Sequence, residues 1–244
     1  MAEAEEPARP AFYALAPGGW RDYVTLLHPP YTAWHLSYAA LGAGLAPHVD
    51  PTRLVATLGA FLLAVGVAAH CLDELRGRPL GTQIPAGVLR ALAVGGLGCA
   101  VGLGLIGLRQ VGWPLAVLIV VGVVACVAYN LELAGGRLHS DAAFALTWGG
   151  FPVITGYVAQ TGRIGLGTVA GALFAVLGSL GQRRLSAFAR GLRRGRIRVA
   201  GTIADAAGER RLDAVGLAAH ADDALSLLAG AHVLLAVAVV AVRA

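Results

Sequence analysis

Seven stretches of this chain carry no Asp, Glu, Lys or Arg: 23–49, 54–72, 91–108, 110–131, 142–162, 164–182 and 224–242. About 20 apolar residues carry a helix across a bilayer, and every stretch reaches or approaches that length. None shows the period-two alternation of an outer-membrane barrel strand. Lipid offers no partner to a backbone N–H or C=O, so an apolar crossing must satisfy its own backbone as a helix. The pattern predicts an all-α integral membrane protein, a bundle of about seven transmembrane helices. Composition agrees, with 57% hydrophobic and 14% charged residues against roughly 25% charged in soluble domains. The 34 glycines suit close packing of membrane helices.

Arginine placement predicts the orientation. All 19 basic residues are arginine. With the N-terminus in the cytoplasm and strict alternation, 15 of them fall inside and only Arg53, Arg109, Arg163 and Arg243 outside. That asymmetry follows the positive-inside rule and predicts a multi-pass protein of the cell (inner) membrane. The opening "MAEAEEPARP" is acidic, lacks an apolar h-region, and is expected to be a cytoplasmic tail and not a signal peptide. The expected division is a tail over 1–22, a six-helix core over 23–186, an Arg-rich and amphipathic cytoplasmic segment over 187–223, and a last helix over 224–244. Within that segment, Leu212, Val215, Ala218 and Ala219 have helical spacing and predict an interfacial amphipathic helix. The arginine run 183–198 beside a membrane exit points to topology and anionic headgroups, not nucleic acid. Cys71, Cys99 and Cys126 have no metal-type or disulfide spacing and read as small hydrophobes.

The polar chemistry gathers on the inner face. "HCLDELRGRPLGT" ends the second helix. His70, Asp73 and Glu74 stand at i, i+3 and i+4, one helical face. Two carboxylates and an imidazole in that array suit Mg²⁺, a transition metal or acid–base work, and Arg76 and Arg78 suit a phosphate. A solvated helix-end flank is the competing reading for the acids and arginines. His70, at the inner edge of an apolar run, points to function. A second cluster, "YNLELAGGRLHSD", offers Tyr129, Asn130, Glu132, Arg137, His139 and Asp141, with Ser140 or Asp141 as an N-cap for the next helix. In the first helix Tyr31, Trp34, His35 and Tyr38 form a stripe at i, i+3, i+4 and i+7. Interfacial anchoring and a cavity wall for a flat ring or isoprenoid chain both fit that stripe.

These residues resemble the UbiA-type intramembrane prenyltransferase superfamily in a short, divergent form, over roughly residues 22–186. "LLHPPYTAWHLSYAALGAGLAP" is similar to that family's opening helix. "AAHCLDELRGRPLGT" lies where the family has its first Asp-rich motif followed by R-P-L, here Arg78–Pro79–Leu80. "YNLELAGGRLHSDAAFALTWGGFPVITGY" is similar to its helix-four Tyr, basic residue and Gly-rich helix five. The resemblance implies an isoprenyl diphosphate held through Mg²⁺. Asp73 and Glu74 would be catalytic and metal-binding, and Arg78, Arg137, Arg183 and Arg184 would clamp phosphate. Arg76, His70, Tyr129, Asn130 and Gln182 would complete a substrate site, with the aromatic stripe lining the chain or acceptor cavity. The second Asp-rich motif has no counterpart: no acid stands between Asp141 and Asp205, and Gln182–Arg183–Arg184 occupy its place. Three functions therefore stay open: a diverged prenyltransferase, a non-catalytic lipid-binding or scaffold protein on the same fold, and a metalloenzyme using His70, Asp73, Glu74 and His139. Expected partners are a membrane lipid or isoprenoid, with a homo-oligomer or a membrane complex as further possibilities and no nucleic acid.

Overall fold

The structure is a computed structural model and describes residues 9–206 and 208–244. The stretch 1–8, expected as part of the tail, lies outside the described residues. The helices are α1 (Trp20–Leu26), α2 (Pro29–Gly44), α3 (Pro51–Leu75), α4 (Ala86–Val111), α5 (Trp113–Asn130), α6 (Asp141–Thr161), α7 (Leu166–Arg193) and α8 (Ala214–Ala241). Helices α3, α4, α5, α6 and α8 are long and apolar enough to cross a membrane. The count differs from the seven expected. Helix α2 has only 16 residues because Pro29 opens it and the chain turns after Gly44. Helix α7 has 28 residues, but its last third is the arginine run, which extends the helix and lowers its mean hydropathy.

Sequence signals set the helix starts. Asp50 caps α3 by accepting from the Thr52 and Arg53 amides, with Pro51 at the first helical position. Ser140, one of the two expected caps, accepts from the Ala143 amide at the start of α6. Asp213 caps α8 through the Gly216 amide. Two helices change pitch midway. Helix α3 is π-helical over Leu62–Ala69 and α6 over Ala145–Gly150, a widening often found where a helix wall serves a site.

Helix α2 is central and packs on α6 and α8; α7 lies against α6 and α8, and α4 flanks α3 and α5 at the opposite edge. Glycines permit the tightest crossing. A methyl on Gly42 would overlap the Val153 carbonyl, and one on Gly156 would overlap the Ala39 carbonyl. The backbones of α2 and α6 therefore touch without side chains between them, the small-residue contact expected where lipid gives no hydrophobic drive to association.

The segment after α7 differs from the amphipathic helix expected there. Thr202–Asp205 and Gly208–Arg211 pair as an antiparallel hairpin, with Thr202 opposite Arg211. The helical spacing from Val215 onward belongs to the first turns of α8, which runs unbroken to Ala241. Gly201 and Gly208, both at positive φ, allow the hairpin turns that interrupt the helical pattern.

Candidate functional site

Many of the polar residues expected at the inner face meet around a chamber of about 290 Å³. Many parts of the chain build it: the N-terminal stretch from Pro10 to Tyr13, the start of α2, the ends of α3 and α5, the loops at Pro79–Leu80 and His139, the first turns of α6, and the second half of α7, with Asp222 of α8 at one corner. The two π-helical segments supply facing walls through Val65 and Ala69 on one side and Trp148 on the other.

Three imidazoles are fixed the same way. His35 Nδ1 lies 2.9 Å from the Trp148 carbonyl, His70 Nδ1 3.1 Å from that of Gly66, and His139 Nδ1 3.2 Å from that of Tyr129. A carbonyl only accepts, so each Nδ1 carries its proton and donates, leaving Nε2 as the second ring nitrogen. His28 makes a fourth. It sits in the left-handed region at φ 47° as the N-cap of α2, a costly place for a non-glycine residue. Its ring stacks on His70 at 4.1 Å and bonds Tyr13 Oη through Nδ1 at 2.6 Å. Burial, and then repulsion from His70, hold His28 well below the usual histidine value, while burial pushes the Tyr13 phenol well up.

The chamber's charges divide into occupied and free. Arg193 pairs with Asp222. Arg183 pairs with the exposed Asp141 at 2.6 Å and lies over the Phe144 ring at 5.1 Å. Arg194 donates to the Pro79 carbonyl. The Arg190 guanidinium lines the chamber with no side-chain hydrogen bond or ion pair among the described residues. The Asp73 carboxylate likewise lines the chamber without a side-chain hydrogen bond or ion pair among the described residues. Two neutral groups join them: Tyr129 Oη and Gln182 Oε1 are buried and unpartnered, on side chains of residues 6% and 3% exposed. A buried polar atom without a partner costs about 1–3 kcal/mol, so these groups mark a place prepared for a ligand or water.

The structure separates the remaining candidates. Tyr31 and His35 line the chamber; Trp34 and Tyr38 do not. Trp34 Nε1 donates to Tyr38 Oη at 2.6 Å, and both are fully buried against α7 and α8, with Trp34 stacked on His232 at 4.5 Å. The stripe therefore splits, because α2 is packed on all sides instead of facing one hollow. Glu74 is turned away from the ligand space. Its carboxylate accepts from the Leu80 amide at 3.0 Å, the Thr82 amide at 2.9 Å and the Thr82 hydroxyl at 2.8 Å, and it is 0% exposed. It holds the 76–84 loop onto α3. Arg78 serves the same loop through the Thr82 and Ile84 carbonyls, and Arg76 bonds Glu132 at 2.8 Å and the Leu131 carbonyl. Arg137 and Arg184 are exposed and outside the chamber lining. Asn130 lines it, with its amide nitrogen donating to the Cys126 carbonyl. Tyr13, His28 and Arg190 were not singled out in sequence; the clue to His28 was its place directly before Pro29–Pro30.

The donor set does not fit the Mg²⁺ site that the resemblance implies. Glu74 has its oxygens occupied, and Asp222 pairs with Arg193 through Oδ2 while its Oδ1 is unpartnered, which leaves Asp73 as the one carboxylate of the lining without an ion pair among the described residues. Among the described residues no three His, Cys, Asp or Glu side chains converge as a metal-binding group, and Mg²⁺ takes several oxygen ligands in near-octahedral array. The His70, Asp73, Glu74 and His139 set meets the same objection.

Next to the chamber lies an apolar groove of about 210 Å³ between α3, α4, α5 and α6. Val65 and Trp148 line both spaces. Along α3 the groove runs from Thr52 to Val65, about 20 Å at helical rise. The fold and site together define a helical multi-pass membrane protein with a polar chamber at one end and a greasy channel beside it. Compared with known proteins, the chain matches no family model, no curated protein and no solved structure.

Proposed function

We propose that this protein binds a phosphorylated membrane lipid, with the head in the arginine-lined chamber and the hydrocarbon chain in the apolar groove. The observation that carries the reading is the junction at Val65 and Trp148, shared by both spaces. A polar head needs fixed hydrogen-bonding partners out of water, and a chain needs apolar walls; the two environments meet within one helix turn. Isoprenoid phosphates and diphosphates are the lipid class the UbiA resemblance suggests. In this reading α2 and α7 also cross the membrane, for seven crossings in all, with the chamber facing the cytoplasm of the inner membrane.

The test is to purify the protein in mild detergent and identify retained lipids by native mass spectrometry. A bound phosphorylated lipid, lost in Val65→Trp, is the expected result. Retention of uncharged lipids alone, or of the same lipids after the groove is blocked, would refute it. A prenyl-transfer activity is the second reading, favoured by the free Asp73 carboxylate beside the arginines. It predicts that, when a hydroxyl- or amine-bearing acceptor is added, the allylic C–O bond of the prenyl diphosphate breaks, the prenyl carbon bonds to the acceptor O or N, and inorganic diphosphate and the acceptor proton are released.

A further inference from the structure

The groups left free in the chamber have both signs. The Arg190 side chain offers a cation and that of Asp73 an anion, and neither side chain is hydrogen-bonded or ion-paired to the other or to any other described residue. A purely anionic head would find Arg190 but would bring its charge toward the Asp73 carboxylate, which no side chain pairs directly. A purely cationic head would meet the reverse. Two further groups narrow the chemistry. Gln182 Oε1 is an unpartnered acceptor on a residue 3% exposed, and Tyr129 Oη is an unpartnered hydroxyl on one 6% exposed. Carboxylate and amide oxygen together call for a group with more than one N–H donor. The four side chains come from α3, α5 and α7 and line one chamber.

We infer that the head is a phosphate joined to a primary ammonium, as in an ethanolamine phospholipid: phosphate at Arg190, ammonium at Asp73 and Gln182. The inference rests on the proposed binding of a phosphorylated lipid and names its head, in place of the purely anionic isoprenoid phosphate that the resemblance suggests. The aromatic neighbours do not contradict it. The His70 and His139 rings have their Nδ1 atoms against the Gly66 and Tyr129 carbonyls, and the Tyr129 hydroxyl is free to donate to the phosphate or accept from the ammonium. A quaternary ammonium has no N–H and would leave the Asp73 and Gln182 acceptors without donors.

The experiment uses the full-length protein in detergent and fluorescent single-chain lipids of equal acyl length, carrying phosphate alone, phosphoethanolamine or phosphocholine heads. The phosphoethanolamine lipid is expected to bind at least about tenfold more tightly than the other two. Asp73→Asn should remove that preference while keeping the phosphate lipid bound, which also reports that the variant is folded. Arg190→Gln should weaken all three lipids alike, since each carries the phosphate. Equal binding of the three heads, or an unchanged preference in Asp73→Asn, overturns this inference and leaves phospholipid binding standing. Failure of all three lipids to bind overturns both.

Discussion

The rings of His28 and His70 lie stacked, centroids 4.1 Å apart and planes 20° from parallel, so the entrance to α2 and the inner end of α3 are joined through two imidazoles. Tyr13 completes the contact from the N-terminal stretch. Its ring and that of Phe12 also pack edge-on to Tyr31, at 5.5 and 6.2 Å. The roof of the chamber thus hangs on aromatic contacts and one side-chain hydrogen bond. Its base is tied by the Leu15 amide to Thr25 and by the Gly18 amide to Asp22.

Removing the Tyr13 hydroxyl tests the roof. Tyr13→Phe leaves the buried His28 Nδ1 without its partner and should cost about 1–3 kcal/mol. Hydrogen exchange over residues 9–14 should accelerate while exchange in α4 and α5 stays unchanged. Equal protection in both proteins would show that the bond contributes nothing.

His28 also gives a pH dependence with a definite sign. Its folded value lies well below the usual 6.5 because burial and then His70 disfavour the charged ring. The unfolded chain therefore binds the extra proton first. The contribution to stability is complete above about pH 6.5 and is lost as the pH falls toward the lower folded value, by up to about 1.4 kcal/mol per pH unit for one proton. Melting temperature should fall between pH 6.5 and 5, and His28→Gln should flatten that fall. An identical slope in the variant would exclude His28 as its source.

Glu74 is expected to matter for folding and not for ligand chemistry. Its three bonds are to Leu80 and Thr82, and losing a buried charged acceptor strands these donors at a cost of about 3 kcal/mol or more. Glu74→Ala should lower yield and melting temperature and expose the 76–84 loop to protease. Lipid affinity of the surviving folded fraction should stay within about threefold of the parent.

The α2–α6 crossing leaves no room for a side chain. Gly42→Ala or Gly156→Ala drives a methyl into a facing carbonyl, and overpacking of this kind costs about 1–3 kcal/mol or more. Gly87→Ala, where a methyl meets nothing within 4 Å, is the control. The first two variants should aggregate or melt early, and the third should behave like the parent.

Glu132→Ala breaks the Arg76 pair at the chamber's outer rim, where both side chains are over a third exposed. Such a pair contributes about 0–1 kcal/mol. The variant should melt within about 2 °C of the parent; a larger loss would mean that Arg76 braces the α5–α6 loop as well as pairing with it.

Helix-forming apolar stretches and the Ser140 cap were legible in the sequence, because lipid permits an apolar segment few alternatives and because a serine cap acts locally; the Asp50 cap and the Asp213 cap came from the structure. The gathering of the polar residues at one end was legible too, from where the charge-free stretches stop. Which of those residues face a ligand was not. His70, Asp73 and Glu74 share the spacing of one helical face, yet Asp73 opens into the chamber while Glu74 folds under the 76–84 loop. Tyr31 and Trp34 share a stripe, yet one lines the chamber and the other is sealed against α8. Spacing fixes direction about one helix axis only. Which neighbour lies in that direction depends on crossings such as Gly42 against Val153, on π-helical turns that rotate the wall, and on donors supplied by distant loops. The sequence by itself determined a helical membrane chain with its polar groups at one end; the packing of the helices decided which of those groups remain free for a ligand.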